Sequence, residues 1–206
     1  MRATAILVLL STAALVFTLA SGCDLGDPVD SADSGNSGNS VGGADSPTRD
    51  AEPRPLVYAE DWTPTAAADD PLFEHRPSQT ICPSSAWAEE FGTLEVSTSG
   101  CNYFSVEQPL AEPLEIGDEL RVRVWWQSLI SHEPATGHLA LLINGALVWE
   151  THVEIPGASD ARSIRFASPV AAEPGATVTF HLHNHGANTW TLAEFATLGQ
   201  PDQVTQ

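Results

Sequence analysis

Hydrophobic and polar positions divide the chain into three regimes. Residues 3–20 form an apolar run broken only by Thr and Ser, behind the single basic residue Arg2. A basic start, an apolar stretch too short for a good membrane anchor and small residues before a cut predict a secretory signal over residues 1–22. Residues 24–54 turn to Ser, Gly, Asp, Asn and Pro, with almost nothing apolar to bury. Such a segment cannot recover the entropy cost of ordering, so residues 23–54 are expected to be a disordered tether with an end-to-end distance of roughly 30 Å. Residues 55–200 are expected to fold as one domain, followed by a short tail at 201–206.

Within that domain the pattern changes to short alternating runs. Leu56-Val57-Tyr58-Ala59 reads as a first strand. Residues 63–88 carry Pro64, Pro71, Pro77 and Pro83 and predict a long surface loop. Strands are then expected at 93–97, 102–106, 119–126, 138–143, 146–155, 162–167, 177–183 and 188–198. Asn144-Gly145 between two β-rich runs is a strong hairpin signal, and Asn184-His185-Gly186 marks the turn of a last pair. No helical period exceeds two turns. About eight short strands punctuated by Gly, Pro and Asn predict an all-β antiparallel β-sandwich. Closure into a barrel fits the long loop and uneven strand lengths less well.

Charge narrows the partners. The chain has 27 acidic residues against 8 arginines, with no lysine, and a formal net charge of −19. That balance repels phosphate backbones and excludes nucleic acid as a natural partner. It also argues against electrostatic adhesion to anionic lipid.

Alternation nominates the chemistry. Along 119–126, Arg121, Arg123 and Trp125 share a face opposite Val122, Val124 and Trp126; along 146–155, Glu150, His152 and Glu154 share one opposite Thr151, Val153 and Ile155. His181 and His183 point together, opposite Phe180 and Leu182, with His185 in the turn beyond. If these faces fall on one sheet, Trp125 supplies a stacking platform for a sugar ring, while Arg121, Arg123, Glu150, His152, His181 and His183 bond its hydroxyls. The competing arrangement has Trp125 covered by the 63–88 loop. His181, His183 and His185 are also a chemically reasonable site for zinc or copper; the alternative is a hydrogen-bonded sheet surface. Catalysis finds no support in Gly-x-Ser-x-Gly, His-Glu-x-x-His, P-loop or Gly-x-Gly-x-x-Gly patterns.

Two resemblances add to this reading. Ala20-Ser21-Gly22-Cys23 resembles the lipobox of bacterial lipoproteins, with Ala20 where Leu is usual and Leu19 one place earlier. The resemblance implies diacylation of Cys23, cleavage before it, and a domain held at a bacterial membrane in the cell envelope. With Cys23 so used, Cys82 and Cys101 remain as a disulfide pair for an oxidising compartment, worth about 3 kcal/mol on the chain-entropy model. A catalytic or metal-bound thiol is the competing use. The ending Val178-Thr179-Phe180-His181-Leu182-His183-Asn184 with Asn188-Thr189-Trp190-Thr191-Leu192 looks like the closing hairpin of jelly-roll carbohydrate-binding modules. It implies a jelly-roll-like sandwich. The chain is also similar to lipoproteins of GC-rich Gram-negative bacteria that bring no activity with them. The expected function is therefore a tethered binding module for carbohydrate or another envelope component, with no cofactor required. A metal-binding protein or metal-dependent enzyme built on the histidines, with a divalent metal ion, is the alternative. A structural lipoprotein whose partner is another protein is the third reading.

Overall fold

The computed structural model describes residues 52–199. The expected signal, Cys23, most of the tether and the tail lie outside those residues.

Where side chains alternate, the chain forms strands. They are β1 (Arg54–Pro55), β2 (Thr63–Pro64), β3 (Trp87–Glu90), β4 (Thr93–Ser97), β5 (Tyr103–Pro109), β6 (Glu119–Trp126), β7 (Ala135–Ile143), β8 (Ala146–Ile155), β9 (Asp160–Ala167), β10 (Thr177–His183) and β11 (Thr189–Leu198). One sheet runs β3-β4-β11-β6-β9, with β1 also paired to β11; the other runs β2-β5-β10-β7-β8. All pairings between these strands are antiparallel. Stripped of β1–β3, the two sheets read 4-11-6-9 and 5-10-7-8. That is the strand order of a jelly roll, so the expected all-β sandwich is observed.

Inward positions fill the space between the sheets. Leu120, Val122, Val124 and Trp126 of β6 meet Phe104, Leu139, Leu141, Phe180 and Leu182 of the opposite sheet in one buried cluster. Trp126 and Trp190 lie with ring centroids 5.2 Å apart. The β7–β8 turn holds Asn144 at φ +48° and Gly145 at φ +77°, the doubly left-handed geometry of a two-residue hairpin. Cys82 and Cys101 are disulfide-bonded.

Three local expectations are corrected. The first strand is Arg54–Pro55 rather than residues 56–59; Leu56 instead turns inward and is fully buried, which removes it from a ladder register. Residues 87–90, at the end of the expected loop and just beyond it, form an edge strand, closed onto β4 by the turn Phe91-Gly92. The last pair is not a hairpin: β10 and β11 belong to different sheets, and the Asn184–Asn188 turn is an arch between them.

Candidate functional site

The outer face of the five-stranded sheet carries the site. Register places His183 of β10 opposite His138 of β7, and His138 opposite His152 of β8. His181 sits two residues before His183 on the same face, opposite Ala140, whose other neighbour is Glu150. Three adjacent strands thus present His138, His152, Glu150, His181 and His183 together.

The 63–88 loop covers this face. It is fixed by Asp70, whose buried carboxylate accepts hydrogen bonds from Tyr103 Oη at 2.8 Å, Arg76 Nη1 at 2.9 Å and the Leu72 amide at 3.0 Å. Burial, reinforced by Asp70, raises the Tyr103 pKa, so the phenol stays a donor. A single 3-10 turn, Phe73–His75, then hangs His75 over the sheet. His75 Nε2 lies 2.9 Å from His183 Nδ1, and its ring stands edge-on to His138 at 5.2 Å and to His181 at 5.4 Å.

The arch beyond β10 is fixed by a buried amide network. Asn184 Nδ2 donates to Thr98 Oγ1 at 2.6 Å, and Asn188 Oδ1 accepts from the Ile130 amide at 2.6 Å. Gly186 adopts φ +99° against the Ile130 carbonyl, where any Cβ would collide with that oxygen. This holds His185 beside His183, ring centroids 5.0 Å apart.

The chain contains seven histidines. Six of them, His75, His132, His138, His152, His183 and His185, line one open cleft of about 560 Å³. The seventh, His181, lies against His75 and His138 and is fully buried. Among the described residues, neither ring nitrogen of His181 has a hydrogen-bond partner, nor has the buried Nδ1 of His138. Burial above all, then the nearby His138, His75 and His183 rings, lowers the His181 pKa to about 2. The Phe104 backbone opposes this weakly, yet makes no hydrogen bond of normal geometry to either nitrogen. Burial first and His75 next lower His183 to about 4. His138 is likewise lowered by burial, against the pull of its Glu150 hydrogen bond. All three are therefore neutral near pH 7 and carry free lone pairs, the form that binds metal.

Two sets of potential ligand atoms converge to within 4.8 Å of one another: His75, His138 and His181, and His138, Glu150 and His152. An ion with metal–nitrogen bonds near 2.0–2.1 Å needs ligand nitrogens about 3.4 Å apart, within reach of small ring rotations.

The sequence-predicted residues are divided by the fold. Glu150, His152, His181 and His183 share the five-stranded sheet. Arg121, Arg123 and Trp125 lie on the outer face of the six-stranded sheet, so the expected common face is corrected: β6 pairs with β9 and β11, and β10 with β5 and β7. The loop covers His181 rather than Trp125, which stays half-buried on its own face. There Arg121 contacts Glu194 at 2.7 Å, and Arg123 contacts its other oxygen at 3.6 Å. Of the expected trio His181, His183 and His185, only His181 belongs to a converging set. Sequence reasoning missed His75 and His138. Alternation along 138–143 placed His138 opposite Leu139 and could have nominated it; nothing local nominates His75.

No family model matches the chain, and no curated protein matches it. Solved structures do align with it at low similarity. A CBM4 structure aligns at TM-score 0.39 with 11% identity over 70% of this chain and 94% of its own. TmCBM61, solved with beta-1,4-galactotriose, aligns at 0.38 with 10% identity over 71% and 99%. BiXyn10A CBM1 aligns at 0.39 with 11% identity over 73% and 99%. All three TM-scores lie below 0.5.

Proposed function

We propose that this domain binds a divalent transition-metal ion of the zinc or copper class through His75, His138 and His181. One observation carries the reading: a fully buried histidine whose two nitrogens have no partner among the described residues has a ligand atom within 4.8 Å of those of two more histidines. Buried polar groups are nearly always hydrogen-bonded, and an orphaned pair on the loop-covered outer face of a sheet calls for a ligand. Neutral imidazoles suit zinc and copper and suit magnesium or calcium poorly.

The lipobox reading makes the domain an envelope lipoprotein held by acyl chains at Cys23, with residues 24–54 as tether. Cys23→Ala should then abolish detergent partitioning of the processed protein. A metal-dependent enzyme using the same histidines and a structural lipoprotein bound to another protein are the alternative readings.

The test is titration of the metal-free protein with Co²⁺ and Zn²⁺. Ligand-field bands of nitrogen coordination, competed away by zinc and weakened in His181→Ala, are expected. Absence of stoichiometric binding in folded protein would remove the reading.

A second reading belongs to the other sheet. Trp125 is half-buried on an outer face, next to Arg123 and in line with Arg121 along β6, the pairing of flat ring and hydrogen-bond donors that grips sugars. A glycan array compared between wild type and Trp125→Ala tests it.

A further inference from the structure

Resting on the metal reading above, we infer that the cleft holds two ions, the second at His138, Glu150 and His152, and that the His138 ring bridges them. His138 is common to both converging sets. Its two nitrogens have different surroundings. Nε2 lies 3.0 Å from Glu150 Oε2, on the side of the partly exposed carboxylate. Nδ1 is buried and has no hydrogen-bond partner among the described residues. With Nε2 engaged by the Glu150 set, Nδ1 is the lone pair left for the set that contains buried His181.

The second set is built by register. His138 and His152 are directly opposed across β7 and β8, and their rings stack at 4.4 Å with planes 6° apart. One nitrogen of each ring and a Glu150 carboxylate oxygen lie within 4.8 Å of one another on that face. The donor set of two imidazoles and one carboxylate suits zinc and copper. His138 and Glu150 approach within 3.0 Å, so the pair is already near ligand spacing without loop movement.

The step balances simply. A neutral imidazole carries one N–H and one lone pair. The first ion takes the lone pair of one His138 nitrogen. The second forms its bond to the other nitrogen as that N–H proton leaves to solvent. No oxidation state changes. The Glu150 carboxylate and the resulting imidazolate each offset one positive charge, and the net charge of −19 favours cation entry.

The experiment loads the full chain with Zn²⁺, then separately with Cu²⁺, after chelator treatment. Wild type should bind two zinc ions per chain and release protons with the second. Glu150→Gln combined with His152→Ala, both at exposed positions, should keep the wild-type circular dichroism and bind one. His138→Ala should lose at least one. With two copper ions bound, electron paramagnetic resonance intensity should fall well below that of the one-copper form, because imidazolate couples the spins. One ion in wild type, two in the double variant or in His138→Ala, or a two-copper signal twice that of the one-copper form would overturn the bridge while leaving the inner site standing. No ion at all would overturn both.

Discussion

Replacing His181 by Leu separates a ligand from a core residue, because the two roles predict opposite changes in stability. His181 has no solvent exposure. A neutral imidazole has one donor and one acceptor nitrogen, and both are unpartnered among the described residues. Each buried, unsatisfied polar group costs about 1–3 kcal/mol. Leu is close in size and removes both. Against that stand lost ring contacts with Tyr103 at 4.8 Å and with His75 and His138, pairs of the kind worth about 0.5–1.5 kcal/mol. Taking the middle of each range, the net expectation for metal-free protein is a gain of about 1 kcal/mol. At roughly 2–4 °C per kcal/mol, the melting temperature should rise by about 2–4 °C. Zinc at a hundredfold excess over the Kd of the inner site should stabilise wild type by about 2.7 kcal/mol through that site, a contribution the variant loses. Differential scanning calorimetry with and without zinc reads both effects. A variant that melts well below wild type and keeps the full zinc response would refute the reasoning and make His181 an ordinary packing residue.

Other expectations follow from the same geometry. Cys101→Ser should lower stability by about 2–5 kcal/mol, and neither cysteine of the native protein should react with an alkylating agent before reduction. Gly137→Ala, beside His138, would place a Cβ 2.9 Å from Cζ2 and Cη2 of buried Trp190, and should cost about 1–3 kcal/mol in urea denaturation. Acid should weaken the metal-free domain early. His181 and His183 have folded pKa values below the unfolded value, so stability is flat above about pH 6.5 and falls beneath it as the unfolded chain takes protons that the folded one refuses. His181 alone contributes about 1.4 kcal/mol per pH unit, down to its folded value. Denaturation curves at pH 7.5, 6 and 5 measure the slope, and equal stability at all three would contradict the burial of these rings.

Much of the fold was legible because its cause is local. The alternation of Arg121, Val122, Arg123, Val124, Trp125 and Trp126 is a period-2 pattern, and β6 buries Val122, Val124 and Trp126 as that pattern dictates. Asn144-Gly145 encodes left-handed geometry in two residues, and β7 ends just before it as β8 begins just after it. Sheet membership is a different matter. Alternation says which residues share a face of one strand but not which strands are neighbours, so Trp125 and His183 could be placed on polar faces and not on opposite sides of the sandwich. The arch at Asn184–Asn188 shows the same gap. A Gly/Asn turn between two strands reads as a hairpin, whereas the Thr98, Asn184 and Asn188 network commits it to crossing between sheets.

The site depends on two features that leave no mark in a local pattern. One is a β-bulge. Ile143 faces Ala146 and Leu142 faces Leu147, and unbroken pairing from that turn would set His138 opposite Thr151, whose side chain lies on the other face from Glu150. The register slips by one residue between Leu141 and Leu142, so Leu141 faces Trp149 and His138 faces His152. A one-residue insertion reverses which side chains meet. Without it the His138, Glu150 and His152 set does not form. The other is the loop. His75 is remote in sequence from the strands it covers and reaches them only because Asp70 is tied to Tyr103 and Arg76. A carboxylate buried in that way draws the 3-10 turn down and seals His181 from solvent, which in turn keeps its nitrogens neutral. Neutrality, burial and convergence are thus consequences of contacts made far from the histidines along the chain, and the short-range His181-x-His183-x-His185 spacing captured only one of the three inner ligands.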